Sequence, residues 1–421
     1  MTGVLIAGAG IAGLTTALSL HAACITECAV VDRARRLTTA GVGINLQPHA
    51  VRELTELGLG ADLAAIGVPI AELAHYDRYG NRIWGEPRGL AAGYRWPQYA
   101  VHRGELHALL LRAVRDRLGA GAVTPGLAVE DFAETAGGVR VRLRDRRTGE
   151  AVERDADVLV GADGLHSAVR ARLHPGEGPP VDSGIVMWRG TAVREPFLTG
   201  NTMIMAGSNS AAKFVAYPIS PVAEGRTRIN WVAEVRLPDR RLAADWTARG
   251  RLDEVLPHYA DWRFDWLDVP ALIRASDPIL VYPMVDRDPL PRWGAGRVTL
   301  AGDAAHPMYP IGSNGGSQAV LDARLLAYHL ATAPDAVTAL AAYEDARRET
   351  VNAIVLANRG LGPERILRVV AQRAPRGFAD IRDVLSEEEL ASIGDAYRST
   401  TSTDVATLNE RASWTPARVD A

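Results

Sequence analysis

The chain has 421 residues, 47% hydrophobic and 23% charged, with a formal net charge of −3. That length fits roughly two or three compact units, and the composition can bury enough apolar surface to offset the entropy of ordering, which excludes a disordered chain. A balance of 47 basic and 50 acidic residues excludes a chain built around nucleic acid or an anionic membrane, since both need a positive field. Lys213 is the one lysine, so Schiff-base chemistry has a single candidate. Two cysteines, Cys24 and Cys28, are too few for a disulfide framework or a Cys-rich zinc site. Their spacing predicts one face of a helix end, buried, in a reducing compartment. Residues 3–26 lack Asp, Glu, Lys and Arg, yet no positive charge precedes this stretch and glycines interrupt it. It therefore reads as neither signal peptide nor membrane span, and a cytoplasmic location is expected.

In chain order, the apolar run 4–7 predicts a buried parallel strand. A glycine turn over 8–13, a helix over 14–23 and a strand over 29–32 complete a strand–helix–strand unit, which makes the opening α/β. Residues 137–145 alternate Val139, Val141 and Leu143 with Arg140, Arg142 and Arg144, and predict a hairpin with 151–155. The arginine row reads as a solvated sheet face. A buried strand over 156–161 leads into Ala162-Asp163-Gly164. Strands over 184–193, 211–219, 226–235 and 278–284 lack a crossover rhythm and predict an antiparallel sheet. A buried strand over 298–301, a loop over 302–316 and a helix over 318–331 follow. The chain is read as largely helical from 340, with about 20 frayed polar residues at its end. Of 25 Phe, Trp and Tyr, 6 fall in 73–99 and 11 in 176–284, which suits a core or a site that packs flat rings.

Three motifs carry chemistry. Gly8-Ala-Gly10-Ile-Ala-Gly13 follows a strand and opens a helix. Gly8 permits the turn, Gly10 lets the backbone approach a pyrophosphate, and Gly13 lets helix and strand pack closely. The helix N-terminus offers unpaired N–H groups and the positive end of its dipole. Asp32 ends the second strand, where a carboxylate can hold ribose hydroxyls. This motif predicts dinucleotide binding without separating FAD from NAD. The second motif is Asp163-Gly164-Leu-His-Ser167, and the third is Gly302-Asp303-Ala-Ala-His306-Pro307. Each follows a buried strand.

The three together resemble the single-component flavoprotein aromatic hydroxylases, which share the p-hydroxybenzoate hydroxylase fold. The resemblance covers most of residues 1–360. It implies a Rossmann-like FAD-binding domain over 1–72, 100–175 and 285–360. An inserted antiparallel β-sheet substrate domain over 73–99 and 176–284 and a helical C-terminus over 361–421 complete the implied fold. It implies that Gly8, Gly10, Gly13 and Asp32 hold the ADP half of FAD. Asp163 and Gly164 would lie near the pyrophosphate and the nicotinamide route, and Asp303 on the ribityl chain. Arg103, in Val101-His-Arg103-Gly-Glu-Leu106, matches the family's arginine on FAD phosphate or ribityl. Ala12, Arg33, Gly43, Leu127, Pro310, Gly312, Gly315 and Gly316 complete the implied cofactor set. NAD(P)H would be a transient reductant, since no second glycine-rich strand–turn–helix is present, and O2 the cosubstrate. Reduced flavin gathers negative charge, and a helix starting near Gly315 would aim its N–H groups there. Residues 312–315 read Gly-Ser-Asn-Gly where many members have glycine-glutamine-glycine.

Longer runs at 41–48, 282–291 and 309–318 are similar to those of N-methylphenazine-carboxylate hydroxylases. They point to phenazines or other aromatic carboxylates, with loss of CO2 where hydroxylation occurs at the carboxylate's carbon. In this chemistry a flavin hydroperoxide attacks an electron-rich ring, and the protein orients the ring and excludes water. Tyr217 is the candidate substrate-facing residue, against a core tyrosine with a bonded hydroxyl. Arg189 is the candidate for a substrate carboxylate, against a structural ion pair, and His306 reads as a turn residue. No phosphate loop, His-Glu-x-x-His or Gly-x-Ser-x-Gly element is present, and no metal site is expected. The rival readings are a flavin halogenase, a flavoprotein oxidase or reductase without oxygenation, and a non-enzymatic dinucleotide-fold binding protein. The halogenase reading lacks its Trp-x-Trp-x-Ile-Pro element.

Overall fold

The computed structural model describes residues 3–38, 41–240, 242–360, 362–392 and 404–416. Strand β1 (Val4–Ala7), helix α1 (Ile11–Ala22) and strand β2 (Cys28–Asp32) open the chain. Strand β3 (Gly43–Leu46), helices α2 (Pro48–Glu56) and α3 (Gly60–Ile66), and strands β4 (Val68–Ile70), β5 (Glu72–Tyr76), β6 (Arg82–Pro87) and β7 (Gln98–His102) follow. Helix α4 (Arg103–Leu118) leads to β8 (Val123–Pro125), β9 (Leu127–Glu134), β10 (Val139–Asp145), β11 (Ala151–Ala156) and β12 (Val158–Gly161). After α5 (Ala168–Leu173) come β13 (Val181–Arg194), β14 (Thr202–Gly207), β15 (Ala212–Pro218) and β16 (Thr227–Arg236). Short elements α6 (Leu252–Val255), β17 (Arg263–Phe264), β18 (Leu267–Asp268) and α7 (Val269–Arg274) precede β19 (Leu280–Asp286) and β20 (Val298–Leu300). Helices α8 (Gly315–Thr332), α9 (Ala336–Arg359) and α10 (Arg365–Arg373) follow.

The order β20-β12-β1-β2-β8 forms a sheet whose pairings are all parallel. Its strands are short and apolar because both faces are covered: α1 packs on β1 and β2, and Val139, Val141 and Leu143 of β10 join the same core, so β1 and β12 are buried at every position. The three glycine motifs follow β1, β12 and β20, which are neighbours, so the carboxyl ends of adjacent strands deliver them to one place.

A second sheet has the order β19-β13-β16-β15-β14-β5-β6. Alternation along its strands gives it two cores. On β15, Phe214 and Ala216 join one with Trp188, Trp231 and Tyr259, while Val215 and Tyr217 join the other with Met203 and Met205. The second core also takes Tyr309 and Ile311 from the loop before α8, so this face looks toward the third motif.

Several expectations need correction. The sheet is not wholly antiparallel, because β14 and β5 pair in parallel. Strand β14 was not anticipated. Its six residues are all buried, so no polar alternation marks them. The cysteines do not share a helix face: Cys24 is exposed past α1 at φ 63° and Cys28 starts β2. The tail is not frayed over 404–416. Residues Val405–Glu410 form a helix, Arg411 pairs with Glu53, and Thr415 Oγ1 accepts from Arg324 at 2.7 Å. Residues 361, 393–403 and 417–421 of the expected helical C-terminus lie outside the described residues. The hairpin is found as β10 with β11, joined by β9; Arg140 is exposed and Arg144 half-buried, and they pair with Asp155 and Glu130.

Candidate active site

The three turns pack directly on one another. Gly8 has φ +107°, and a Cβ there would sit 2.2 Å from the Ala162 carbonyl oxygen beside Asp163. A Cβ at Gly13 would sit 1.9 Å from the Gly8 carbonyl oxygen, and one at Gly302 2.8 Å from the Ala12 Cβ. Only glycine permits these approaches. At Gly10, by contrast, a Cβ would meet nothing within 4 Å, and no side chain caps α1. The first helical bond runs from Leu14 N–H to the Gly10 carbonyl at 3.0 Å, so the N–H groups of Ile11, Ala12 and Gly13 lack intrahelical acceptors and face an open cradle.

Around that cradle, Asp32 accepts from Ala9 N–H at 2.8 Å and Ala34 N–H at 2.7 Å, which fixes its carboxylate at the end of β2. The His107 ring bonds the Ala9 carbonyl at 2.7 Å. Sequence reasoning missed this brace. Arg33 and Arg103 are exposed, with no ion pair among the described residues. Leu127, by contrast, is buried at the start of β9.

Asp163 turns inward: it accepts from Ser167 Oγ at 2.5 Å and Ala168 N–H at 2.8 Å, capping the turn into α5. Burial raises its pKa against these bonds. Gly164, at φ +80°, faces open space. Asp303 is exposed in the turn Gly302–Ala304, with no side-chain hydrogen bond or ion pair among the described residues. Its turn is anchored by Asp322, which accepts from Gly302 N–H at 2.9 Å, His306 Nε2 at 2.5 Å and Arg347 Nε at 2.9 Å. Burial alone would raise the Asp322 carboxyl, but His306 and Arg347 outweigh it and hold it at about 2. His306 thus braces the turn.

The third loop presents a second uncapped helix. Pro310 is exposed ahead of the turn Ile311–Ser313, and Gly312 adopts φ 69°. The first bond of α8 is Gln318 N–H to the Asn314 carbonyl at 2.9 Å, leaving the N–H groups of Gly315, Gly316 and Ser317 without intrahelical acceptors. A Cβ at Gly316 would meet Ile44 at 2.8 Å, while Gly315 has no neighbour nearer than 3.8 Å.

Gly43, Arg189 and Tyr217 meet at the junction of β3 with the large sheet. Gly43 N–H donates to Asn230 Oδ1 at 2.7 Å, and its carbonyl accepts from Arg189 Nη2 at 2.7 Å. A Cβ at Gly43 would lie 2.8 Å from Tyr217 Cε2. Burial disfavours the Arg189 charge, but the electrostatic pull of Tyr282 and Tyr217 raises its pKa overall. Burial pushes Tyr217 up, with Arg189 opposing. The expected structural ion pair at Arg189 is not found: its partners are a carbonyl and two tyrosines, with no carboxylate among the described residues. Asn230 and Tyr282 were not anticipated. The one available signal was a polar residue amid the apolar run of β16.

A cleft of about 430 Å³ opens between Gly312, Ser313 and Asn314, the start of α2, and the edge of the large sheet. Trp84, Met203, Met205 and Leu73 give it apolar walls, and Arg88, Gln98 and Val405 also line it. Tyr217 and Arg189 are not among its lining residues. Among the described residues no cluster of His, Cys, Asp and Glu could hold a metal, and no helix is long and apolar enough to cross a membrane.

Residues 1–358 match a family model described as an FAD binding domain. The chain is 51% identical over 403 residues to the phenazine 1,6-dicarboxylic acid hydroxylase of Lysobacter antibioticus, covering 94% of this chain and 97% of that one. It is 35% identical over 369 residues to the aurachin C monooxygenase/isomerase of Stigmatella aurantiaca, covering 85% and 88%. Klebsiella pneumoniae HpxO complexed with FAD and uric acid superposes with a TM-score of 0.75 at 26% identity, covering 95% and 97%. The open cradle at Gly10, the two uncapped helix N-termini and the unpartnered Asp303 carboxylate suit a dinucleotide flavin. The chain belongs to the FAD-binding family with the p-hydroxybenzoate hydroxylase fold, and is an FAD-dependent aromatic hydroxylase that uses NAD(P)H and O2.

Proposed function

We propose that this hydroxylase acts on a flat, fused-ring heteroaromatic acid of the phenazine type. The observation that carries this reading is the cleft beside Gly312–Asn314, whose Trp84, Met203 and Met205 walls suit an aromatic face. The name of the Lysobacter relative points to the same substrate class. In this reading Gly8, Gly10, Ala12, Gly13, Asp32 and Arg33 hold the ADP half of FAD, with Arg103, Leu127, Asp163 and Gly164 around its middle. Asp303, Pro310, Gly312, Gly315, Gly316 and Gly43 surround the ribityl and ring end. Bound there, FAD would carry two electrons from NAD(P)H to O2, so that one oxygen atom enters the substrate ring and the other leaves as water.

The protein's own part is to orient the ring and keep water out. Arg189 and Tyr217 hold Gly43 where β3 meets the large sheet. The N–H groups of Gly315 and Gly316 offer a positive helix end to charge gathering beside them. Where oxygen enters at a carbon bearing a carboxylate, the carbon–carbon bond breaks with its electrons left on the ring, and CO2 departs. The domain division is proposed as 1–72, 100–175 and 285–360 for the cofactor and 73–99 with 176–284 for the substrate. The two free thiols, Cys24 and Cys28, support a reducing, cytoplasmic setting. Flavin reduction by NADH and NADPH in the presence of phenazine 1,6-dicarboxylic acid, 3-hydroxybenzoate or urate tests the substrate class. The phenazine acid should accelerate reduction most. A greater effect from either of the others would reject it.

A further inference from the structure

The lining of this cleft is polar in an unusual way. His49, Trp84, Arg88 and Gln98 all line it, and each carries a buried atom without a hydrogen-bond partner: His49 Nε2, Trp84 Nε1, Arg88 Nε and Gln98 Oε1. His49 and Gln98 are only 5% and 2% exposed. Native folds leave few such groups, because each costs the desolvation of a donor or acceptor. Four in the lining of one cleft mark a place where a ligand's polar atoms complete the set.

Arg88 decides what kind of polar atom. Its Nη2 donates to Glu86 Oε2 at 2.9 Å, which holds the guanidinium in the wall, while Nε is left over. Arg88 and Glu86 side chains are 18% and 6% exposed, so the pair is well shielded from water. The surrounding field is positive. Burial lowers His49 to about 3, helped by Arg347 and Arg411. His75, which pairs with Met205 and Trp84 across its neighbouring strands, is lowered to about 3 by burial, Arg88 and Lys213. Burial is the main cause of both shifts, and the cations add to it, so the positive charge available to a ligand here is the Arg88 guanidinium.

We propose that Arg88 binds a carboxylate carried on the substrate ring and so sets the enzyme's preference for aromatic acids over neutral rings, with Glu86 as its positioning residue. This rests on the reading that the cleft takes the substrate, and deepens it. A carboxylate meets a guanidinium whose Nε is left over, in a shielded setting where charge-assisted hydrogen bonds count most. Trp84, Met203 and Met205 hold the ring beside it. Glu86 costs some affinity by repelling the acid, so removing its charge should strengthen binding.

The test titrates phenazine 1,6-dicarboxylic acid and unsubstituted phenazine into flavin-loaded enzyme, reading the perturbation of the flavin absorbance. Wild type should bind the acid more tightly. Arg88→Met should weaken the acid at least about tenfold, the low end for a charge-assisted bond, and leave phenazine unchanged. Glu86→Gln should tighten the acid and leave phenazine unchanged. If Arg88→Met loses its flavin, the wild-type preference and the Glu86→Gln shift decide the matter. Equal binding of both rings by wild type, or equal weakening of both by Arg88→Met, overturns the role of Arg88 while the phenazine reading stands. Binding of neither ring overturns the phenazine reading. The same comparison with 3-hydroxybenzoate against phenol then decides Arg88.

Discussion

Gly302 packs against Ala12 so closely that a methyl group on Gly302 would come within 2.8 Å of the Ala12 side chain, across 290 residues of sequence. Gly302 also sits at φ +58°, which L side chains adopt only with strain. The contact joins the third glycine turn to the first helix and brings Asp303 to the cofactor cradle. Gly302→Val should push α1 and α8 apart there, since Ala319 lies 3.4 Å away on the other side. Flavin affinity measured by fluorescence should fall at least about tenfold, with stability lowered by about 2–3 kcal/mol. Unchanged affinity would break the link between the turns and the cofactor.

The anchor of that turn titrates in a defined window. Asp322 is held at about 2 rather than its ordinary 3.8, so its folded form holds protons less tightly than its unfolded form. It contributes stability above about pH 4, which is lost as pH falls toward about 2, worth about 2 kcal/mol. Asp322→Asn should flatten this part of the acid-unfolding profile. It should also destabilise the protein near neutral pH by about 3 kcal/mol by leaving Arg347 without its buried carboxylate. Denaturant melts across this pH range measure both effects.

Lys213 has a physical reason to be the chain's one lysine. Its ammonium is buried between Glu234 at 2.9 Å and Glu364 at 2.6 Å. Burial works against the charge, yet the two carboxylates raise its pKa. Burial also lifts Glu234 to about 7, against Lys213 and with Glu364. A carboxyl raised in the folded state has the opposite sign from Asp322: stability falls as pH rises from about 4.5 to about 7. Lys213→Met should cost about 3–5 kcal/mol by stranding two carboxylates and steepen that decline. Lys213→Arg should cost less, about 1–3 kcal/mol, by overpacking. Chemical denaturation at two pH values separates the three forms.

The terminal segment should behave as a wall of the cleft. Arg411 pairs with Glu53 and stacks 3.4 Å from the Trp414 ring centre, Arg52 donates to its carbonyl at 2.6 Å, and Val405 lines the cleft. Arg411→Ala should lower stability by about 1–3 kcal/mol and weaken ligand binding. A melt and a ligand titration unchanged from wild type would show that 404–416 contributes to neither.

The sequence made the α/β opening and the glycine motifs legible because each rests on a local demand: Gly8, Gly13 and Gly302 stand where backbone or another helix comes too close for a side chain. What it hid depends on partners distant in sequence. Arg189 looked like half of an ion pair, but its partners lie on β3, β15 and β19. Nor did the sequence show that Asp163 also accepts from Ser167 and Ala168 and so caps the turn into α5. Strand β14 and its parallel pairing with β5 leave no periodic mark, since both faces are buried. The polar tail looked frayed because nothing local reveals that Glu53, buried on α2, receives Arg411.

The central claim is that these turns grip one FAD and that the enzyme places an oxygen atom from O2 on an aromatic ring. Flavin-loaded enzyme, NAD(P)H and phenazine 1,6-dicarboxylic acid are incubated under isotopically heavy O2, and the product is weighed by mass spectrometry. One heavy oxygen atom in each hydroxylated product is the predicted result. Nicotinamide oxidation that yields only hydrogen peroxide, with no label in any ring product, would contradict it.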